Sequence, residues 1–394
     1  MPSPQADLDR GREALVAMRI DEAVTSFEAA LRADPGSIAA HLGLYEAYQV
    51  KGNRPLALEH QRKALERQRL YVEKAPAPGA PTILLLAIAG DWQANVPLEY
   101  VYPSLSPGVF KLFVDEQLPN PQALPGCDLV FNAIAQSDRA DATLEALAAW
   151  KPQLRIPFLN DPAKVRKLSR DGVARDFADL EGALVPNTRR VPAAALSAAV
   201  AGATPEAPFT VRAADSQAGE TLGRIENPAA LAPYLAQKPG TSDYFVAPFV
   251  DYRSADGFFR KYRIIFVDGV PFAHHLAISR KWMVHYYNAL NDEEAWIREE
   301  EERFLAGIEH VFDGPRKRVL DELARRVGLD YFGIDCGVLP DGRVLIFEID
   351  VAMIVHLGDP IERYPYKHAY VPRIFDAFER MIYARSGRQP PVRR

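Results

Sequence analysis

Cysteine is nearly absent from these 394 residues: Cys127 and Cys336 are the only two, and neither sits in a CxxC or zinc-type spacing. That argues against a disulfide framework or a cysteine-held metal. No charge of one sign dominates, since 47 Lys and Arg against 52 Asp and Glu leave −5 at pH 7, so nothing marks a nucleic-acid partner. Long apolar runs are missing too. The longest, TILLLAIAG at 82–90, falls well short of the roughly 20 residues of a membrane-spanning helix. The start, MPSPQADLDR, has neither the basic nor the apolar region of a secretory signal, so a cytoplasmic protein is the default expectation. Nothing resembles a Ser-His-Asp triad, and no side chain is marked as a covalent nucleophile.

What is present reads as two or three globular domains, with 48% hydrophobic and 25% charged residues. Residues from about 4 to 71 read as helical, and the segment DEAVTSFEAALRADP carries Ala23, Phe27, Ala30 and Pro35 at tetratricopeptide-repeat spacing. Gly11 falls where such a repeat takes a small residue. One period of 34 later come Tyr48, Ala57 and Ala64, while Gln61 and Arg69 stand at the Phe and Pro positions, so the second unit is degenerate. A plain helical hairpin is the alternative. Two units are fewer than a solenoid needs, so these helices are expected to dock on the rest of the chain or on a partner.

KAPAPGAP (74–81) reads as a linker. Strands at 82–90, 110–116, 127–136 and 155–161, with a helix at 138–151, argue for an α/β domain with a parallel sheet. A helix is expected within 191–208. Strands at 208–215 and 244–252, a hairpin over 260–279 turning at Asp268 and Gly269, helices at 291–312 and 315–327, a second hairpin and a last helix at 370–385 describe α+β structure around an antiparallel sheet. The tail GRQPPVRR is expected to be disordered.

The second hairpin, GIDCGVLPDGRVLIFEID, carries acids where strands disfavour them. Asp341 and Gly342 suit a two-residue turn. That register sets Asp335 opposite Glu348, with Asp350 two residues on and on the same face. Like charges so placed repel, and a cation, a proton or a nearby Arg or Lys must resolve them. Clustered oxygens suit Mg²⁺. The alternative has one acid turned outward to Arg343 and the others solvated.

In this order of elements, residues 82–385 resemble the ATP-grasp superfamily, on the strength of Asp335, the hairpin and the Glu348-Ile349-Asp350 triplet, which stands where the family has Glu-x-Asn. The resemblance implies a multidomain α/β and α+β fold: a helical repeat domain (1–73), an α/β pre-ATP-grasp domain (82–185), an ATP-grasp α+β domain with an antiparallel sheet (186–385) and a disordered tail (386–394). It further implies ATP with Mg²⁺, or Mn²⁺ in its place, held by Asp335, Glu348 and Asp350. Arg212 and Arg170, with Lys167 as fallback, would meet the phosphates under a flap at Gly219. Pro248, Phe249 and Val250 would line the adenine, with Ala247 where the family commonly has an acid, and Asp251 would serve the ribose. Arg263, next to Lys261 where relatives carry Glu, would bind the reacting carboxylate or acyl phosphate. His275, Lys281, Tyr286 and His356 are substrate candidates, and alternation along the strand would let at most one of His274 and His275 face the cleft.

The activity so implied is an ATP-dependent carboxylate–amine or peptide-modifying ligase working through an acyl phosphate. An ATP-grasp kinase and a non-catalytic nucleotide-binding scaffold are the alternatives. Partners would be a small-molecule or peptide carboxylate, an amine, and a peptide or protein at the helices. A homodimer is compatible with the resemblance, and no motif encodes one.

Overall fold

Four helices open the chain: α1 (Pro4–Val16), α2 (Ile20–Ala33), α3 (Ile38–Val50) and α4 (Arg54–Leu65). Ser3, Ser37 and Asn53 cap α1, α3 and α4 by accepting backbone N–H bonds, and Pro follows the cap in α1 and α4. The four form two stacked hairpins around Phe27, which is 1% exposed. A Cβ on Gly11 would lie 2.6 Å from the Phe27 ring, and one on Gly43 2.4 Å from it. The small residues of α1 and α3 are therefore what lets the two helices close on one aromatic side chain. The computed structural model describes residues 3–101, 105–216, 219, 221–237, 240–284, 289, 291 and 294–389.

Residues 70–74, expected to be the end of the helices and the start of a linker, instead form β1 (Leu70–Lys74). This β-prone LYVEK segment pairs antiparallel with the outer strand of the α/β sheet. The sheet continues with β2 (Thr82–Ala87), β3 (Gly108–Phe113), β4 (Leu129–Asn132) and β5 (Phe158–Leu159), all mutually parallel, in the order β1-β3-β2-β4-β5. Helices α5 (Asp141–Trp150), α6 (Pro162–Val165) and α7 (Arg170–Asp176) follow within this region.

After β6 (Ala183–Leu184) and β7 (Arg189–Pro192) comes α8 (Leu196–Ala199), a single turn where a longer helix is expected. Strands β8 (Phe209–Ala213), β9 (Gly223–Ile225) and β10 (Asp243–Pro248), with α9 (Leu231–Gln237) between the last two, complete a four-stranded antiparallel sheet, β7-β10-β8-β9, which has its own small core. The third sheet holds β11 (Phe259–Val267) and β12 (Val270–Ser279), joined through Asp268 and Gly269, both at positive φ as a type I′ turn requires. Helices α10 (Ala295–Ala306) and α11 (Gly314–Val327) lead to β13 (Tyr331–Val338) and β14 (Val344–Asp350). The order is β12-β11-β13-β14-β6. Helices α12 (Pro365–Tyr370) and α13 (Pro372–Ser386) close the chain. Arg388 beyond them bonds to Asp128, and residues 390–394 lie outside the described residues.

One apolar core runs unbroken from the parallel sheet into the third sheet and α13, with Phe131, Tyr331 and Phe378 in mutual edge contact. Asn160, at φ 55°, exchanges two 2.8 Å bonds with the backbone of Tyr331. The parallel sheet thereby fixes where β13 begins, and with it the height of Asp335.

The helical hairpins dock on the loop after β2. Tyr45 donates to the Gly90 carbonyl at 2.8 Å, Gln61 accepts from the Gly90 N–H at 2.8 Å, and Arg54 meets Asp91 at 2.8 Å. Gln61, one of the two residues at which the expected second repeat unit departs from its pattern, is thus a docking group.

Candidate active site

The hairpin β13–β14 reaches the expected pairing by a different route. Gly342, at φ 87°, donates to Leu339, and Leu339 pairs with Arg343, so the turn holds three residues rather than two. The strands near it run one residue out of the expected register until an irregularity between Asp335 and Cys336 restores it, with Phe347 as the extra residue on β14. Asp335 then faces Glu348, and Asp350 lies opposite Gly333. Arg343 pairs with the turn residue Asp341, not with one of these three acids.

Across the third sheet, Arg263 on β11 faces Asp335, and Asp335 faces Glu348. Cation, acid and acid stand on three successive strands. Asp335 is 2% exposed, and its carboxylate is gripped by Arg263 Nε (2.8 Å) and Nη2 (3.0 Å) and by Lys261 Nζ (2.9 Å). Burial would push its carboxyl up, but Arg263 and Lys261 hold it far below the ordinary range. Glu348 pairs with Arg170, reached from the first residue of α7, and is likewise held down against its burial and its acidic neighbour. Asp350 differs. Its Oδ1 accepts from the Ala352 N–H at 3.0 Å, and burial followed by repulsion from Glu348 pushes it up to about 6.

These groups share a cleft of about 580 Å³ lined by the four-stranded antiparallel sheet and the third sheet. Arg170, Arg212, Gly219, Lys261 and Arg263 line it with the three acids. Arg212 is buried and donates to the Ser216 carbonyl at 2.6 Å, and Thr221 bonds to Ser216 and to the Ala213 N–H, so both feet of the Gly219 loop are tied together. Gly219 itself has φ 74° with open space around it; residues 217, 218 and 220 lie outside the described residues. At the apolar end, Pro248, Phe249 and Val250 line the cleft at the end of β10, and Phe249 lies between the Arg224 guanidinium at 4.3 Å and the Trp282 ring at 5.5 Å.

Other expected residues fall elsewhere. Asp251 pairs with Arg253 at 2.7 Å and is not among the lining residues, nor is the exposed Lys281 or Lys167. Tyr286 lies outside the described residues. His275 and His356 line the cleft, but so does His274, against the expectation that at most one of His274 and His275 would do so. The physical reason is a bulge: Arg263 pairs with His275 and Ile264 with Ala273, leaving His274 as the extra residue. Its Nδ1 is buried and unpartnered among the described residues, and burial, followed by the charge of Arg263, holds the ring well below its usual range.

Sequence reasoning missed Glu301, Lys367 and Gln93. Glu301, fully buried on α10, accepts from His275 Nδ1 and, at 2.7 Å, from Tyr366. Lys367 Nζ stands 3.6 Å from it and 2.8 Å from Asp359. Burial pushes Glu301 up, but His275, Lys367 and Tyr366 bring it to about 2. Gln93, on the docked loop, lines the cleft.

Among the described residues no three His, Cys, Asp or Glu side chains converge as a metal ion requires. The expected triad divides: Glu348 and Asp350, the latter without a cation partner among the described residues, keep oxygens suited to a divalent ion, while Asp335 is taken up by protein cations. Nor, among the described residues, is any helix long and apolar enough to cross a membrane.

Fold and cleft together define a mixed α/β chain with a charged site between the four-stranded antiparallel sheet and the mixed third sheet. No family model matches it, and no curated protein does. Solved structures are similar: the D-alanine–D-alanine ligase from Coxiella burnetii at 10% identity and TM-score 0.49, covering 78% of this chain and 96% of that one. The VanG D-Ala:D-Ser ligase from Enterococcus faecalis stands at 12% and 0.49 (78% and 99%), and a RimK domain ATP-grasp protein from Sphaerobacter thermophilus at 14% and 0.46 (76% and 99%). Likeness at this level leaves the function to be argued from the site itself.

Proposed function

We propose that the chain is an ATP-dependent ligase of the ATP-grasp type, joining a carboxylate to an amine with release of ADP and phosphate. The observation that carries this reading is the convergence of Arg170, Arg212, Lys261 and Arg263 with Glu348 and Asp350 beside an apolar slot at Pro248–Val250. Four cations suit a triphosphate, and the slot suits a purine, with the Pro248 carbonyl as acceptor for its amine. Mg²⁺ or Mn²⁺ at Glu348 and Asp350 would neutralise phosphate charge.

The cations do most of the work in the first step. They hold the γ-phosphoryl group while the substrate carboxylate attacks it, the bond to the β-phosphate oxygen breaks and ADP leaves. Arg263, between the phosphate end and the histidines, would hold the resulting acyl phosphate. The amine nitrogen then bonds to the acyl carbon, phosphate leaves and the amine proton is lost. A peptide or protein partner at the helices, with those helices read as tetratricopeptide-like, and a homodimer belong to the same reading.

Titration calorimetry with ATP, with and without Mg²⁺, tests it. Mg²⁺-dependent binding that Glu348→Ala weakens at least tenfold is the expected result, and ADP release on adding acids and amines the next. Absence of ATP binding in every condition would overturn the reading. A non-catalytic nucleotide scaffold is favoured by one observation, the closed ion pairs of Asp335. ATP binding without ADP release from any acid–amine or hydroxyl acceptor would select it, and a phosphate ester without an amide would select a kinase.

A further inference from the structure

Three carboxylates on one wall are usually reconciled by metal ions, yet here the wall is divided between two kinds of cation. Lys261 and Arg263, two residues apart on β11, project to one face of the sheet. Asp335 on the neighbouring strand meets both. Its Oδ2 accepts from Lys261 at 2.9 Å and from Arg263 at 3.0 Å, and its Oδ1 from Arg263 Nε at 2.8 Å. An oxygen with two N–H donors has spent both lone pairs, and a divalent ion at ligating distance would stand against an ammonium and a guanidinium. The carboxylate is also 2% exposed. Glu348 and Asp350 lie on the far side of Asp335 from β11: one has a single guanidinium partner, and the other has no cation partner among the described residues.

Resting on the nucleotide reading of the cleft, we propose that Lys261 is a built-in cation. Its ammonium holds the place at Asp335 that a divalent ion would otherwise take, so Asp335 is a positioning residue for Lys261 and Arg263, and the site takes one divalent ion, at Glu348 and Asp350. Two consequences separate this from a site in which all three acids ligate. The metal count per nucleotide is one, and it depends on Glu348 but not on Asp335. Removing the ammonium frees the one lone pair of Oδ2 that Arg263 does not use and opens a second position.

The experiment counts protein-bound Mn²⁺ by equilibrium dialysis and electron paramagnetic resonance on the full chain saturated with a non-hydrolysable ATP analogue. One Mn²⁺ per chain is expected for the wild type and for Asp335→Asn, two for Lys261→Ala, and at least tenfold weaker binding of the single ion for Glu348→Gln. Lys261→Arg, which keeps the charge, should stay at one. Two ions in the wild type, a single ion lost with Asp335→Asn, or a count that stays at one in Lys261→Ala would each overturn the proposal. Calorimetry of the analogue on the wild type separates the two readings. If it does not bind, the nucleotide site itself falls and this inference with it; if it binds with two ions, the nucleotide site stands and Lys261 loses the role.

Discussion

Gln61 Oε1 accepts the Gly90 backbone N–H at 2.8 Å, and three residues beyond Gly90 Gln93 lines the cleft. Gln61 is 3% exposed, so this bond is made out of water. Replacing it by Leu leaves the Gly90 N–H without its partner, at a cost of about 1–3 kcal/mol. Urea unfolding of Gln61→Leu should show that loss, and proteolysis should cut the 88–95 loop faster than in the wild type. Unchanged stability would mean that the helices are held by Tyr45 and Arg54 alone.

The same helices test the packing of Phe27. A methyl on Gly43 would meet the ring at 2.4 Å, and Gly11 also closes on the same ring, at 2.6 Å. Gly→Ala inside an exposed helix usually stabilises by helix propensity. Here overpacking should win, and Gly43→Ala should lose about 1–3 kcal/mol. Gly11→Ala should behave alike, and Phe27→Leu should rescue either one. A stabilising Gly43→Ala would show that the hairpins can separate to admit the methyl.

Much of this was legible in the sequence because periodicity and turn residues carry it. The parallel sheet, the Asp268–Gly269 turn and the two hairpins follow from alternation and from residues that tolerate positive φ, while the opposition of Asp335 to Glu348 was reached only because two departures from the expected hairpin cancel. Bulges were not legible. The extra residue at Phe347 offsets a turn one residue longer than expected, and the one at His274 turns a second imidazole to the cleft. A bulge changes register without a fixed residue signature. Strand β1 was hidden because its register with β3 is set by a partner distant in sequence. Glu301 did leave a signal. It shares the buried face of α10 with Ile297, Phe304 and Leu305, an acid inside an apolar stripe, but the surrounding run of glutamates masked it.

Glu301 gives the first pH-dependent test. Its folded pKa, about 2, lies below the ordinary value of about 4.3. A depressed acid contributes stability in full above its unfolded pKa and loses it as pH falls through the folded one. Glu301→Gln removes that contribution and leaves Lys367 facing one acid fewer, a change expected to cost about 3–5 kcal/mol at pH 7. The gap in Tm between variant and wild type should be widest at pH 6–7 and narrow as the pH is lowered toward 3. A gap independent of pH would place the cost in packing and not in charge.

Asp350 gives the opposite sign. Its folded pKa of about 6 lies above the ordinary value of about 3.9. Between those two values the folded chain binds the proton more than the unfolded chain does, so stability falls as pH rises through that window and stays low above it. Asp350→Asn has no proton to lose and mimics the neutral acid. In metal-free protein the variant should match the wild type near pH 4 and exceed its Tm above pH 6. Saturating Mn²⁺ should reverse the order at pH 7, because an ion beside Glu348 rewards the ionised acid and not the amide. If Asn proves the less stable residue at pH 7 without metal, Asp350 is being neutralised by a protein cation, and the wall has no vacancy for an ion.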